Sequence, residues 1–268
     1  MNIRPIVKYH GGKGRLFKWI LEHLPNHKIY CEPFGGAASV LVNKNRSDKE
    51  VYNDIEHTIV NLMRVARDNP DGLIEALRGI QYCEQEYKFY RELYLSEEKY
   101  QKLSDLDKAV AAYVTRRMSR SGTCGTFCWS NRTYSTGPAE VHCWNSSLQN
   151  LEWLSARLQG VEILNENALD VIERYDSEDT LFYLDPPYLH STRFSTNMYW
   201  HESSEEDHIK LAELCREIKG SVVLSGYPSE LYEKLYSGWT AIIKETANHS
   251  SQKPTKETMQ ECLWIKKA

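Results

Sequence analysis

The sequence predicts an α/β fold: a largely parallel sheet covered by helices on both faces and interrupted by a mostly helical insert. Three observations predict it. Short apolar runs alternate with helical periods up to residue 70. The alternation lapses between residues 71 and 150 and then resumes to residue 236. The last two apolar runs read as strands that pair antiparallel.

Taken in order, residues 12–24 read as a helix with Leu16, Trp19, Ile20 and Leu24 on one face, followed by Pro25. "KIYCEPFGG" reads as a strand entering a glycine turn, and "AASVLVNKN" as the next helix. "EVYND" is a second strand ending on Asp54, and "IEHTIVNLMRVARDNP" a helix that stops near Pro70. Residues 71–118 are helical and charged, whereas 119–145 are rich in Ser, Thr, Gly, Cys and Trp without a sustained period. Helices near 146–158, 168–175, 205–218 and 228–236 then alternate with the strands "VEIL", "TLFYLD" and "SVVLSGY". "GWTAIIKET" and "MQECLWIKK" close the chain as a strand pair. Residues 1–70 and 151–268 therefore form one domain, with 71–150 inserted into it.

At 268 residues, with 41% hydrophobic and 26% charged side chains, the composition is that of an ordinary globular protein. No apolar run is long enough to span a bilayer, and the N-terminal stretch has no secretory apolar segment. Seven scattered cysteines suit a reducing cytoplasm better than a disulfide framework. Cys124, Cys128, His142 and Cys143 have no standard zinc spacing, so no metal site is assigned. The net charge of −4 gives no global hint of nucleic acid. Between Lys108 and Ala139, however, Lys108, Arg116, Arg117, Arg120 and Arg132 face no Asp or Glu. That is the local basic patch expected of a nucleic-acid binder, or a solvated helix face.

"EPFGGAASVL" sits between strand and helix, where glycines let a ligand approach the backbone. Asp54, at the end of the next strand, is placed to accept hydrogen bonds from ribose hydroxyls. Neither G-x-G-x-x-G nor a P-loop is present. A nucleoside turn without a phosphate cradle suits S-adenosylmethionine. In "LFYLDPPYLHST" an apolar strand ends on Asp185. Pro186 and Pro187 stiffen the loop and leave their carbonyls free. The Asp185 carboxylate and the Pro186 carbonyl are then two fixed acceptors that match the two N–H donors of an exocyclic amine. Holding both hydrogens favours the pyramidal amine and frees its lone pair for a methyl group. Tyr188 is placed to stack on the base, which has to leave the duplex to be reached.

With these motifs in place the chain resembles the Dam-type (D12 class) DNA adenine-N6 methyltransferases. "KYHGGKGRL", "EPFGGAASVL", "YNDIEHTIVNLM", "LFYLDPPY", "VLSGY" and "ECLWIKK" occur in the family's order. The resemblance implies a Rossmann-like S-adenosylmethionine-dependent methyltransferase sheet with a target-recognition insert at 71–150. It implies that Tyr9, Lys13, Phe34, Gly35, Gly36, Asp54, Asn167 and Asp185 line the cofactor pocket, and that Asp185, Pro186 and Tyr188 hold the target base. It makes Arg116, Arg117, Arg120 and Arg132 candidates for phosphate contact or guanine reading. Arg193 and Tyr199, in a long loop after the catalytic motif, are candidate contacts of a lid over the flipped adenine. "NHSSQKPTKET" reads as a hairpin tip, and His190, His201 and His208 as loop or helix-surface residues. Three positions depart from the family: Tyr9 replaces a usual Trp, Ala38 the last glycine of F-x-G-x-G, and Asn167 a common acidic residue.

The expectation is a site-specific adenine methyltransferase acting on double-stranded DNA. It would be cytoplasmic in a bacterial cell, with a phage or prophage as one origin for it, and monomeric in solution, with a dimer on DNA as a further option. A cytosine-N4 enzyme, an RNA adenine enzyme and a catalytically idle DNA-binding relative remain rivals. Asp rather than Ser at 185 argues against the first, and the intact Asp-Pro-Pro-Tyr against the last.

Overall fold

In the computed structural model, which describes residues 3–9, 11–135, 137–188, 203–247 and 258–268, the apolar runs become strands. They are β1 (Ile29–Glu32), β2 (Lys49–Asn53), a small pair β3 (Thr133–Tyr134) and β4 (Gly137–Pro138), β5 (Val161–Leu164), β6 (Thr180–Leu184), β7 (Ser221–Gly226), β8 (Thr240–Ala247) and β9 (Thr258–Lys266). Seven of them form one sheet in the order β5-β2-β1-β6-β7-β9-β8. The first five in that order run parallel, and β9 runs antiparallel to both of its neighbours. The strand order reverses between β1 and β6, which opens a crevice at their carboxyl ends.

The helices are α1 (Phe17–Leu21), α2 (His57–Asp68), α3 (Pro70–Arg78), α4 (Glu84–Leu95), α5 (Glu97–Gln101), α6 (Asp105–Met118), α7 (Ala139–Leu158), α8 (Ala168–Arg174), α9 (Glu205–Glu217) and α10 (Glu230–Leu235). Their starts are chemically marked: Ser104, Asn167 and Ser229 cap α6, α8 and α10, and Ser204 with Asp207 forms a capping box on α9. The two-residue period of the strands divides the core between the sheet's faces. Tyr30, Tyr52, Leu181, Tyr183 and Val223 fall into one buried cluster, and Cys31, Val51, Phe182, Leu184 and Val222 into the other. Among the described residues no helix is long and apolar enough to cross a membrane.

Three elements differ from expectation. The helix expected over 12–24 is reduced to α1, because residues 12–16, which follow Gly11 (φ 74°), form loop and turn. "AASVLVNKN" forms successive turns instead of a helix. Ala38 adopts a left-handed φ of 54°, and Leu41 gives its N–H to the Glu32 carboxylate rather than to a backbone carbonyl one turn back. The helix expected near 146–158 starts earlier, at Ala139. Glu140, Ser147 and Ser155 on its buried face break the apolar period there. Residue 150 therefore lies inside α7. Residues 71–150 also share the sheet's core: Tyr113 and Val114 of α6 and Trp144 and Leu148 of α7 join the cluster around Tyr30. Arg157, near the end of α7, fixes that helix to the sheet side, reaching Glu50 at 2.6 Å and the Leu41 carbonyl.

Candidate active site

The crevice holds a cavity of about 380 Å³, in the range of small-molecule sites. Its floor is the turn after β1. A side-chain carbon on Gly35 would lie 2.2 Å from the Tyr52 ring, so only glycine fits. Gly36 has a φ of +45°, and a carbon there would meet the Tyr9 ring at 2.9 Å. Phe34 and Tyr9 add aromatic walls.

Asp54 lies at the end of β2 and faces this turn. Its Oδ2 accepts the Gly36 N–H at 2.7 Å and its Oδ1 accepts the Glu56 N–H at 2.8 Å. Burial pushes its pKa up to about 6. Each oxygen keeps a lone pair for a hydroxyl donor. Glu56, which was not singled out from the sequence, lines the same cavity and accepts the Tyr9 hydroxyl at 3.2 Å. Burial raises the Tyr9 phenol well above its usual value, so it stays a donor. Asn167 also lines the cavity, but its Oδ1 is already accepting the Leu169 N–H at 2.8 Å as the cap of α8. Glu32, at the end of β1, is buried and accepts the Tyr30 hydroxyl and the Leu41 N–H on one oxygen. Burial pushes it up to about 8, so it is protonated at neutral pH.

Asp185 ends β6 at the same edge. Its Oδ1 accepts from Lys13 Nζ at 2.7 Å and from Ser225 Oγ at 2.9 Å. Its Oδ2 and the Pro186 carbonyl receive no hydrogen bond among the described residues. The loop is fixed from behind. His208 Nε2 donates to the Pro187 carbonyl at 3.1 Å, and its Nδ1 meets the Tyr232 hydroxyl at 3.0 Å. Tyr188 is buried, packs edge-on against Tyr227 at 4.6 Å, and donates its hydroxyl to Glu261.

His208 is thus a correction: it was expected on the surface and is 1% exposed. The signal was present, since 208, 211, 212 and 215 make one helical stripe with Leu211, Ala212 and Cys215. Ser225 and Glu261 were also missed. A charge adjoining the buried run Cys262–Ile265 was the clue to Glu261, as Asp185 after Leu184 was on β6.

The basic patch divides. Arg116 is a second correction: it is 3% exposed, paired with Glu56, bonded to Tyr94, and its guanidinium lies 5.1 Å from the Tyr9 ring centre. It supports the side of the cavity lined by Tyr9 and Glu56 and is too buried to meet a phosphate on the surface. Arg117 is half-buried and donates to the Cys143 carbonyl. Arg120 and Arg132 are exposed, as are Trp129 and Tyr134 of the same segment. Arg193, Tyr199, His190, His201 and the tip of "NHSSQKPTKET" lie outside the described residues.

The site therefore offers a nucleoside-sized, acid-edged pocket beside two rigid acceptors. Relatives match this chain over most of its length and most of theirs. The Type II methyltransferase M.MjaIII of Methanocaldococcus jannaschii is 26% identical, covering 89% of this chain and 90% of its own. The DNA adenine methylase of Haemophilus influenzae is 25% identical over 94% and 90% of the two chains. That of Escherichia coli is 24% identical over 98% and 95%. The family model for D12 class N6 adenine-specific DNA methyltransferases matches residues 9–250. With an Asp-Pro-Pro-Tyr loop at the carboxyl edge of a methyltransferase-type sheet and that match over most of its length, the chain belongs to the D12 class of N6 adenine-specific DNA methyltransferases.

Proposed function

We propose that the protein transfers the methyl group of S-adenosylmethionine to N6 of an adenine rotated out of a short specific sequence in duplex DNA. One observation carries the reading: Asp185 Oδ2 and the Pro186 carbonyl, which receive no hydrogen bond among the described residues, line the same cavity that Asp54 and Gly36 edge. When bound, the cofactor supplies a methyl group made electrophilic by its sulfonium. Tyr9, Phe34, Gly35 and Gly36 would enclose its nucleoside, and Asp54 would accept its ribose hydroxyls. Asn167 keeps its amide N–H groups and one lone pair for the cofactor's base.

The chain's own part is to prepare the amine. Asp185 and the Pro186 carbonyl accept its two hydrogens and draw nitrogen out of conjugation with the ring. The methylated nitrogen is cationic and acidic, and gives its proton to Asp185 or to water. His208 keeps the Pro187 backbone, and with it the acceptor pair, in place. The insert at 71–150 is read as the target-recognition part, with Arg120 and Arg132 as its outward cations.

Tritium transfer from labelled cofactor to duplex DNA tests the reading, and sequencing of methylated bases then gives the site. Asp185→Ala is expected to reduce transfer by at least a thousand-fold while leaving DNA affinity within a few-fold. Retained transfer would remove Asp185 from the chemistry.

A further inference from the structure

Glu32 is a buried acid that the fold itself uses only in part. It ends β1 and lines the cavity, although it is 2% exposed. Its Oε2 takes both protein donors, the Tyr30 hydroxyl at 2.9 Å and the Leu41 N–H at 3.0 Å. Its Oε1 receives no hydrogen bond among the described residues and is not sealed off from the cavity. A buried carboxyl oxygen without a donor is costly, and a donor brought by a ligand would complete it.

Five carboxyl side chains line the cavity, and the other four are accounted for. Asp54 accepts a backbone N–H on each oxygen. Glu56 takes the Tyr9 hydroxyl on one oxygen and Arg116 on the other. Asp207 belongs to the exposed capping box of α9. Asp185 is bonded through Oδ1 to Lys13 and Ser225, and its Oδ2 is assigned above to the target amine. Against these acids the lining presents one lysine, Lys13, and no arginine. Such a lining favours a ligand that carries positive charge. Because Cys31 pairs with Phe182, Glu32 and Asp185 leave neighbouring strands at the same edge. A methyl donor that presents its sulfonium beside Asp185 brings its amino-acid part along, joined to the same sulfur. The α-ammonium of that part combines positive charge with N–H donors.

We propose that Glu32 Oε1 is the seat of the α-ammonium of S-adenosylmethionine. The assignment rests on the reading of the cavity as the cofactor site, and it has a consequence for protons. In the empty site burial pushes Glu32 up to about 8, so it holds a proton at neutral pH. The ammonium favours the carboxylate, and the proton leaves as the cofactor enters. The empty site thus binds more protons than the filled one, and affinity rises with pH between the ordinary value of 4.5 and about 8. Tyr30 and Cys31 on β1, Tyr52 on β2 and Tyr183 on β6 are held by burial above their usual values and stay protonated. Lys44 is engaged by Glu50 at 2.8 Å, and Asp185 by Lys13. Asp54, pushed up to about 6, is already ionised at neutral pH.

The test is titration calorimetry of the whole chain at about pH 7 in two buffers of different ionisation enthalpy. Three ligands are compared. S-adenosylhomocysteine keeps the ammonium of S-adenosylmethionine without the sulfonium charge, and methylthioadenosine lacks the amino-acid part. The unaltered chain is expected to release about one proton with each of the first two and none with the third. Glu32→Gln resembles the protonated acid but cannot ionise. It is expected to release no proton and to bind the first two ligands about ten-fold more weakly or worse. Methylthioadenosine should bind it within about two-fold, which also reports that the variant is folded. A Glu32→Gln affinity for S-adenosylmethionine within about two-fold of the unaltered chain, or an unchanged proton release, overturns the proposal. So does a loss confined to S-adenosylmethionine, which would give Glu32 to the sulfonium. An equal loss for all three ligands also overturns it and makes Glu32 a framework residue. An unaltered chain that binds none of the three would instead bring down the cofactor reading, an outcome separate from the Glu32 comparison.

Discussion

Ala38 holds a φ of 54° while fully buried, at the position where the resemblance led to the expectation of a glycine. The left-handed conformation costs an alanine about 1–2 kcal/mol. A glycine there would lose about 0.8 kcal/mol of methyl burial and roughly 0.4–1 kcal/mol of unfolded-state entropy. These terms cancel, which accounts for the alanine without any distortion of the turn: Ala38 still donates to Gly35 at 2.7 Å. Ala38→Gly is therefore expected to change stability by less than about 0.5 kcal/mol in urea unfolding. Ala38→Val, β-branched at positive φ and without space, is expected to cost about 2 kcal/mol or more. The residue types at the site were legible because charge and proline stood out against apolar runs. The meeting of Lys13 with Asp185, and of Tyr188 with Glu261, was not legible, because it depends on strand direction rather than on spacing.

At the scale of elements, α6 shows why a charge count misled. Ala109, Tyr113 and Arg116 recur at helical spacing on its buried face, so Arg116 points inward with the core residues. Breaking its pair with Glu56 leaves a buried carboxylate, and Arg116→Ala is expected to cost about 3–5 kcal/mol. Because Glu56 also holds Tyr9, cofactor affinity should fall with it. Arg132→Ala is expected to behave differently. The protein should stay folded, bind duplex DNA more weakly, and lose about one unit of slope in the dependence of log affinity on log salt. An unchanged slope would take Arg132 off the phosphate backbone. The glycine turn after β1 was legible as a ligand turn. The helix expected after it was not, because a side chain, Glu32, competes with the backbone for an N–H.

For the whole molecule, the alternation of strands and helices was enough to predict a parallel sheet and a closing antiparallel pair. It did not reveal that β9 lies inside β8, next to β7, since two adjacent strands can join a sheet in either order. Global stability carries the mark of the buried acids. Glu32 is protonated in the folded protein up to about pH 8, whereas an unfolded glutamate loses its proton near the ordinary value of 4.5. Between these values the folded state binds more protons, so Glu32 makes stability fall as pH rises, by at most roughly 1.4 kcal/mol per pH unit. Glu32→Gln keeps an acceptor for Tyr30 and Leu41 and is expected to flatten that decline. Melting curves from pH 5 to 8 for the two proteins check it, and parallel slopes would contradict it.

The antiparallel course of β9 bears on how the protein folds. Lys13 and Asp185 are 172 positions apart, and Tyr188 meets Glu261 across a further 73. Such distant contacts close late, because loop entropy has to be overcome before they form. Helices and local strand pairs will therefore return first on dilution from denaturant. Enzymatic activity will return last, in a single phase, when the opening and closing segments of the chain dock on the same edge.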